Sequence, residues 1–117
     1  MDSGEQYNLI KIKEFVGNNK KVIDNIIDIF LNNTPEMISI INKSLKEKDY
    51  NKISFYSHKL KSSIDSFSIN ELMSEIRLIE KFSKEKSNLD ELPQLINNLN
   101  DIMNRVIQKI KEDLHKT

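Results

Sequence analysis

Apolar side chains return along this chain at the spacing of an α-helix. From Tyr50 to Phe67 the recurring residues are Ile53, Tyr56, Leu60, Ile64 and Phe67. Set at about 100° per residue they form one stripe, as on a helix with one face against a core. Lys20 to Lys48 keeps the same rhythm, with Ile23, Ile27, Phe30, Leu31, Ile38, Ile41 and Leu45 on one broad face. A later helix, ending near Lys84, turns Leu72, Met73, Ile76 and Ile79 inward. The last begins near Asp90 and keeps phase through Leu95, Ile96, Leu99, Met103, Val106, Ile107, Ile110 and Leu114. A short first helix spans Tyr7 to Val16, with Leu9, Ile10, Ile12, Phe15 and Val16 apolar. Two sets fall off these stripes. Val22, Ile29 and Ile40 flank the long helix, either under the first helix, the favoured reading, or on a docking surface. Leu78 and Phe82 stand one turn apart, facing a neighbouring loop or a contact site.

Local signals mark the boundaries. Gly17 tolerates the left-handed backbone that ends helices, and Asn18 or Asn19 can cap the long helix. Thr34-Pro35-Glu36 resembles a helix start. The apolar face keeps its phase across it, so one kinked helix is expected rather than two. Lys46-Glu47-Lys48-Asp49 is a polar turn, with Asp49 as cap of the helix that begins at Tyr50. Ser68-Ile69-Asn70-Glu71 fits a capping box, in which Ser and Glu satisfy each other's backbone N–H groups. Lys84 to Asn88 is a short charged link, and Pro93 is tolerated in a first turn. Residues 1–6 read as a disordered lead and 7–115 as one domain. The fold class is all-α. Short connections force sequential helices together into an antiparallel up-down four-helix bundle, with a short additional N-terminal helix across one end.

Composition narrows the functions. The chain has 117 residues, no Cys, two Gly and two Pro. Disulfides, Cys-based zinc sites and thiol chemistry are excluded. Lys plus Arg equals Asp plus Glu at 18 each, so the basic excess of a nucleic-acid binder is absent. No apolar run reaches the roughly 18–20 residues of a membrane span. Met1 to Gln6 lacks the basic and apolar regions of a signal peptide, and a cytoplasmic location is expected. The second histidine, His115, lies in the charged tail and reads as a surface residue. It has no ligand spacing with His58. Glu75, Glu80, Asp24 and Asp28 read as solvated positions in weak i, i+4 pairs.

The chemistry concentrates in Ser57-His58-Lys59-Leu60-Lys61-Ser62-Ser63. On the helical wheel His58 points away from the apolar stripe. It shares its side with Asn51, Ser54, Phe55, Lys61, Ser62 and Asp65. An exposed imidazole is largely neutral and nucleophilic near pH 7. A lysine at i+3 is its surface neighbour. A nucleophile, a cation and small flanking residues suit a phosphoryl acceptor. The same spacing also arises on an ordinary solvated helix face.

His58-Lys59-Leu60-Lys61-Ser62-Ser63, followed by Phe67-Ser68-Ile69 and Leu72, resembles the histidine phosphotransfer (HPt) family pattern H-x-L-K-G-S/A, then L-G, then a helix-opening Leu. Ser62 and Ser68 stand where the family usually has Gly. The resemblance covers about Tyr7 to Leu114. It implies that His58 is the phospho-acceptor, through the outer ring nitrogen. Lys61 would steady the phosphoryl charge, and Ser62 would leave clearance and donate a hydrogen bond. It implies response-regulator receiver domains and a (hybrid) sensor histidine kinase as partners in a two-component phosphorelay. Chemistry would be catalysed by the partner, and this domain would need no cofactor, with Mg²⁺ on the receiver only. Phe55, exposed one turn before His58, is the candidate docking contact, with Ser54 and Asp65 beside it. A monomer is expected, free-standing or as one domain of a hybrid kinase. The phosphohistidine would be labile in acid and stable in base. The rival reading is a non-catalytic helical adaptor for a kinase or receiver.

Overall fold

The computed structural model describes residues 5–115, within which there are α-helices and 3-10 turns but no strand. Met1 to Gly4 of the expected lead, the His115 side chain and the Lys116-Thr117 tail lie outside the described residues. The helices are α1 (Ile10–Val16), α2 (Lys20–Glu47), α3 (Tyr50–Ser66), α4 (Met73–Glu85) and α5 (Leu92–His115). Single 3-10 turns, Asn70–Leu72 and Leu89–Glu91, lead into α4 and α5.

The apolar stripes are what bring the long helices together. α2 packs on α3 and α5, α3 on α4, and α4 on α5. Ile41, Ile53, Leu60, Ile64, Leu72, Ile76, Ile79, Leu99 and Met103 meet inside with no exposed surface. At roughly 1.5–3 kcal/mol per large apolar side chain, this burial drives the fold. Phe82 joins the core and Leu78 packs half-buried against it. α2 runs through Pro35 as one helix, with Phe30, Thr34 and Ile41 buried on either side of it.

Caps follow side-chain chemistry at two sites. Asn19 accepts from the Val22 N–H at 3.3 Å, and Asp49 accepts from the Lys52 N–H at 3.1 Å. Gly17 ends α1 at φ 76°, where the backbone and not crowding favours glycine.

Three expectations change. The first helix starts at Ile10 rather than Tyr7. The Asn8 N–H donates to the Phe67 carbonyl at 3.0 Å, and the Asn8 side chain accepts from the Ile10 N–H at 3.1 Å, so Tyr7 to Leu9 are drawn out as a strap. The Tyr7 hydroxyl, at its head, donates to Asp113 Oδ2 at 2.6 Å. Burial first, then that hydrogen bond and the Asp113 charge, pushes the phenol far above its ordinary range.

The capping box does not form. Ser68 lies at φ 52° and makes no side-chain cap. Its N–H bonds to the Asp65 carbonyl, and the Ile69 N–H bonds to the Ile64 carbonyl, each at 3.0 Å. This is the Schellman closure of α3, with Ile64 and Ile69 buried together. Ser68 therefore occupies the left-handed position that glycine usually fills.

Val22 and Ile29 are exposed and Ile40 is half-buried, so the flanking stripe stays outside the core. α1 is too short to cover it, and Ile12 is its one buried residue.

A non-glycine residue in the left-handed region costs about 1–2 kcal/mol. Ser68→Gly is expected to raise the unfolding free energy by about 1 kcal/mol, less what glycine loses in chain entropy. Ser68→Val, β-branched, is expected to lower it by at least as much. Urea denaturation of the three proteins checks both signs.

Candidate functional site

His58 lies midway along α3 with 67% of its side chain exposed. Leu60 and Ser57, its near neighbours, are fully buried and hold that part of the helix against the core. Its Nδ1 lies 2.8 Å from Glu80 Oε2 on α4. The other oxygen, Oε1, accepts from Lys61 Nζ at 2.8 Å. One carboxylate thus bridges the imidazole and the ammonium.

Glu80, which the sequence pattern assigns to a solvated surface, is the residue that the structure brings to His58 and Lys61. Only 17% of its side chain is exposed. α4 returns along α3, and its neighbours Ile79 and Ser83 are buried. The Ser83 hydroxyl donates to the Ile79 carbonyl at 2.6 Å, which anchors it within the helix. Burial pulls the Glu80 carboxyl upward. The hydrogen bonds and charges of Lys61 and His58 outweigh this and hold it below the usual carboxylate range. Glu80 is therefore ionised at neutral pH and can only accept. That puts the proton of neutral His58 on Nδ1 and the lone pair on Nε2, at the far side of an exposed ring. A readable signal for this existed: the α3–α4 connection centres near Ile69, and His58 and Glu80 are equidistant from it in sequence.

The other expected site residues share the face of α3. Ser62 is exposed and Ser54 half-buried. Phe55 is 56% exposed. It meets Tyr56 edge-on at 5.1 Å, and Lys59 Nζ sits 5.1 Å from its ring centroid. Asp65 pairs with Lys11 of α1 at 2.8 Å. That bridge sets α1 beside the C-terminal end of this face. There Phe15, Val16 and Ile26 line a groove of about 340 Å³ with Asp65 and Ser66. Phe15 is 91% exposed.

Among the described residues no cluster of three His, Asp or Glu side chains would hold a metal ion. No described helix is long and apolar enough to cross a membrane.

No curated protein matches the sequence. Among solved structures the fold is similar to the crystal structure of histidine-containing phosphotransfer protein B (HptB) from Pseudomonas aeruginosa PAO1. The TM-score is 0.85 at 14% identity, over 98% of this chain and 99% of that one. At this identity the likeness shows the fold alone. The family model described as Hpt domain matches residues 25–116, a span that includes His58, Lys61 and Glu80. The chain belongs to the Hpt domain family.

Proposed function

We propose that the protein relays a phosphoryl group between receiver-domain aspartates through a phosphohistidine at His58. The observation that carries this is the Nδ1–Glu80 hydrogen bond, which leaves Nε2 as a free, exposed nucleophile. Nε2 attacks the phosphorus of an aspartyl phosphate, the P–O bond breaks, and the aspartate leaves as carboxylate. The reverse sequence hands the group to a second receiver.

Lys61 steadies the phosphoryl charge as it arrives. Ser62 leaves clearance and donates a hydrogen bond. Phe55 is the apolar docking contact, with Ser54 and Asp65 at its rim. The groove beside Phe15 and the exposed Val22 and Ile29 offer further apolar surface on α1 and α2. The partners are receiver domains and a sensor kinase, and the receiver brings Mg²⁺ and the catalytic groups. This chain is a carrier with no cofactor of its own. The working unit is a cytoplasmic monomer built of residues 7–115. In it α2 to α5 form an antiparallel up-down bundle and α1 is the added short helix. Support for that arrangement comes from the closed ring of helix pairs.

The decisive experiment is transfer from a panel of phosphorylated receivers to wild type and His58→Gln. Acid-labile label on wild type, absent from the variant, is the expected result. Receiver binding without label on His58 would favour the adaptor. Phe55→Ala is expected to weaken receiver affinity about ten-fold, as for a buried aromatic contact, with His58 still able to take phosphate from a small-molecule donor. Unchanged affinity and transfer rate would remove Phe55 from the interface.

A further inference from the structure

The bridge at Glu80 acts on the phosphorylated state as well as on the resting one. This deepens the carrier reading above and rests on it. When neutral His58 attacks through Nε2, its Nδ1 proton does not move. The product carries phosphate on Nε2 and a proton on Nδ1, so the ring is formally cationic. Onward transfer breaks the P–Nε2 bond and returns its electron pair to the ring. With Nδ1 protonated, the leaving group is neutral imidazole. With Nδ1 bare, it is an imidazolate anion, a far poorer leaving group.

We infer that Glu80 is a positioning residue that holds the proton on Nδ1 of phosphorylated His58, so that the ring departs as neutral imidazole.

The geometry provides for this. Glu80 Oε2 stands 2.8 Å from Nδ1, on the side of the ring away from the phosphoryl position. It projects from a half-buried place on α4, where water screens it less than at the open surface. The other charges around the ring do not replace it. On α3, Lys61 shares the same carboxylate at 2.8 Å and, as a cation, opposes protonation of Nδ1. Lys59 lies over Phe55. Asp65, two turns on, is paired with Lys11 of α1. On α4, Arg77 and Lys84 flank Glu80 by one turn on either side, and both are exposed cations. From α2, Glu36 lines a groove with Lys59 and Tyr56 on the other flank of α3. Glu80 is thus the described carboxylate in contact with the imidazole, and it works against nearby lysines and an arginine.

A carboxylate hydrogen-bonded to the protonated form raises the pH at which phosphohistidine loses its Nδ1 proton. The labile, transfer-ready form then persists below that raised midpoint and is lost above it. An opposite charge at this distance shifts a titration by one unit or more.

The test needs no partner. Phosphoramidate is a small phosphoryl donor: Nε2 attacks its phosphorus, the P–N bond breaks and ammonia leaves. Wild type, Glu80→Gln, Lys61→Met and His58→Gln are treated with it. The ³¹P shift and the hydrolysis rate of the phosphohistidine are then followed across pH. Glu80→Gln keeps a hydrogen-bond acceptor but removes the charge. Its midpoint is expected about one pH unit below that of wild type, with hydrolysis roughly two- to five-fold slower between the two midpoints and about ten-fold slower above both. Lys61→Met frees Glu80 for the ring and is expected to move the midpoint upward. General loosening of the fold would not produce shifts of opposite sign. Coincident midpoints for wild type and Glu80→Gln would overturn the inference while leaving the carrier reading intact. If Glu80→Gln does not fold, a Lys61→Met midpoint at or below that of wild type overturns it. Wild type that takes no more label than His58→Gln would overturn both.

Discussion

The two hydrogen bonds at Glu80 exist because α4 returns along α3 in one register. A slip of two residues would carry the carboxylate about 3 Å along the helix axis, beyond hydrogen-bond reach of His58 and Lys61. Apolar packing and the turn hold that register. Ile64 and Ile69 close the Schellman turn, and Leu72, Ile76 and Ile79 continue the contact with no exposed surface. Phe67 stacks on Phe30 with ring centroids 4.2 Å apart, and its carbonyl accepts from Asn8. Residues distant from His58 therefore determine where its hydrogen-bond partner stands.

What the bridge contributes is orientation more than stability. Its histidine end is largely exposed, and exposed ion pairs are worth only about 0–1 kcal/mol. Removing water from Glu80 carries its own cost, which the charged donors offset. A contact with so little net effect on folding can still fix a tautomer. The energy that matters is the difference between a proton on Nδ1 and one on Nε2, and a carboxylate that can only accept settles that difference. Lys61 is held by the other oxygen of Glu80, so the same carboxylate bears on both the ring and the neighbouring cation.

Much of this was legible in the sequence, because helical periodicity reports burial directly. The stripes through Ile53, Leu60 and Ile64, and through Ile96, Leu99 and Met103, lie where their spacing puts them. Asp49 and Asn19 cap as short polar side chains before a helix should. The failures occurred where one residue type serves two geometries. Serine followed three residues later by glutamate reads as a cap, yet Ser68 is held at positive φ by Ile64 and Ile69 burying together. Tyr7 continues an apolar rhythm, but a strap tied to Phe67 and Asp113 outweighs the helix it would have extended. Glu80 was hidden for another reason. Its exposure depends on the neighbouring helix, and periodicity within α4 carries no information about what α3 places opposite.

The flanking stripe shows the limit of periodicity from the other side. Val22 and Ile29 repeat at helical spacing as faithfully as any core residue, yet both are exposed. Each large apolar side chain left in water forgoes roughly 1.5–3 kcal/mol of possible burial, and Phe15 is more exposed than either. Folding alone does not account for that placement, since the core closes without them. On the proposed reading the molecule divides its work. Ionised and hydrogen-bonding groups at His58 set the proton and the charge. Apolar side chains supply the association energy, Phe55 on α3 together with those on α1 and α2, and take no part in the chemistry. A receiver covering both regions would be held by the second while reacting at the first. Changes in docking strength would then leave the proton on Nδ1, and the reactivity of Nε2, as Glu80 sets them.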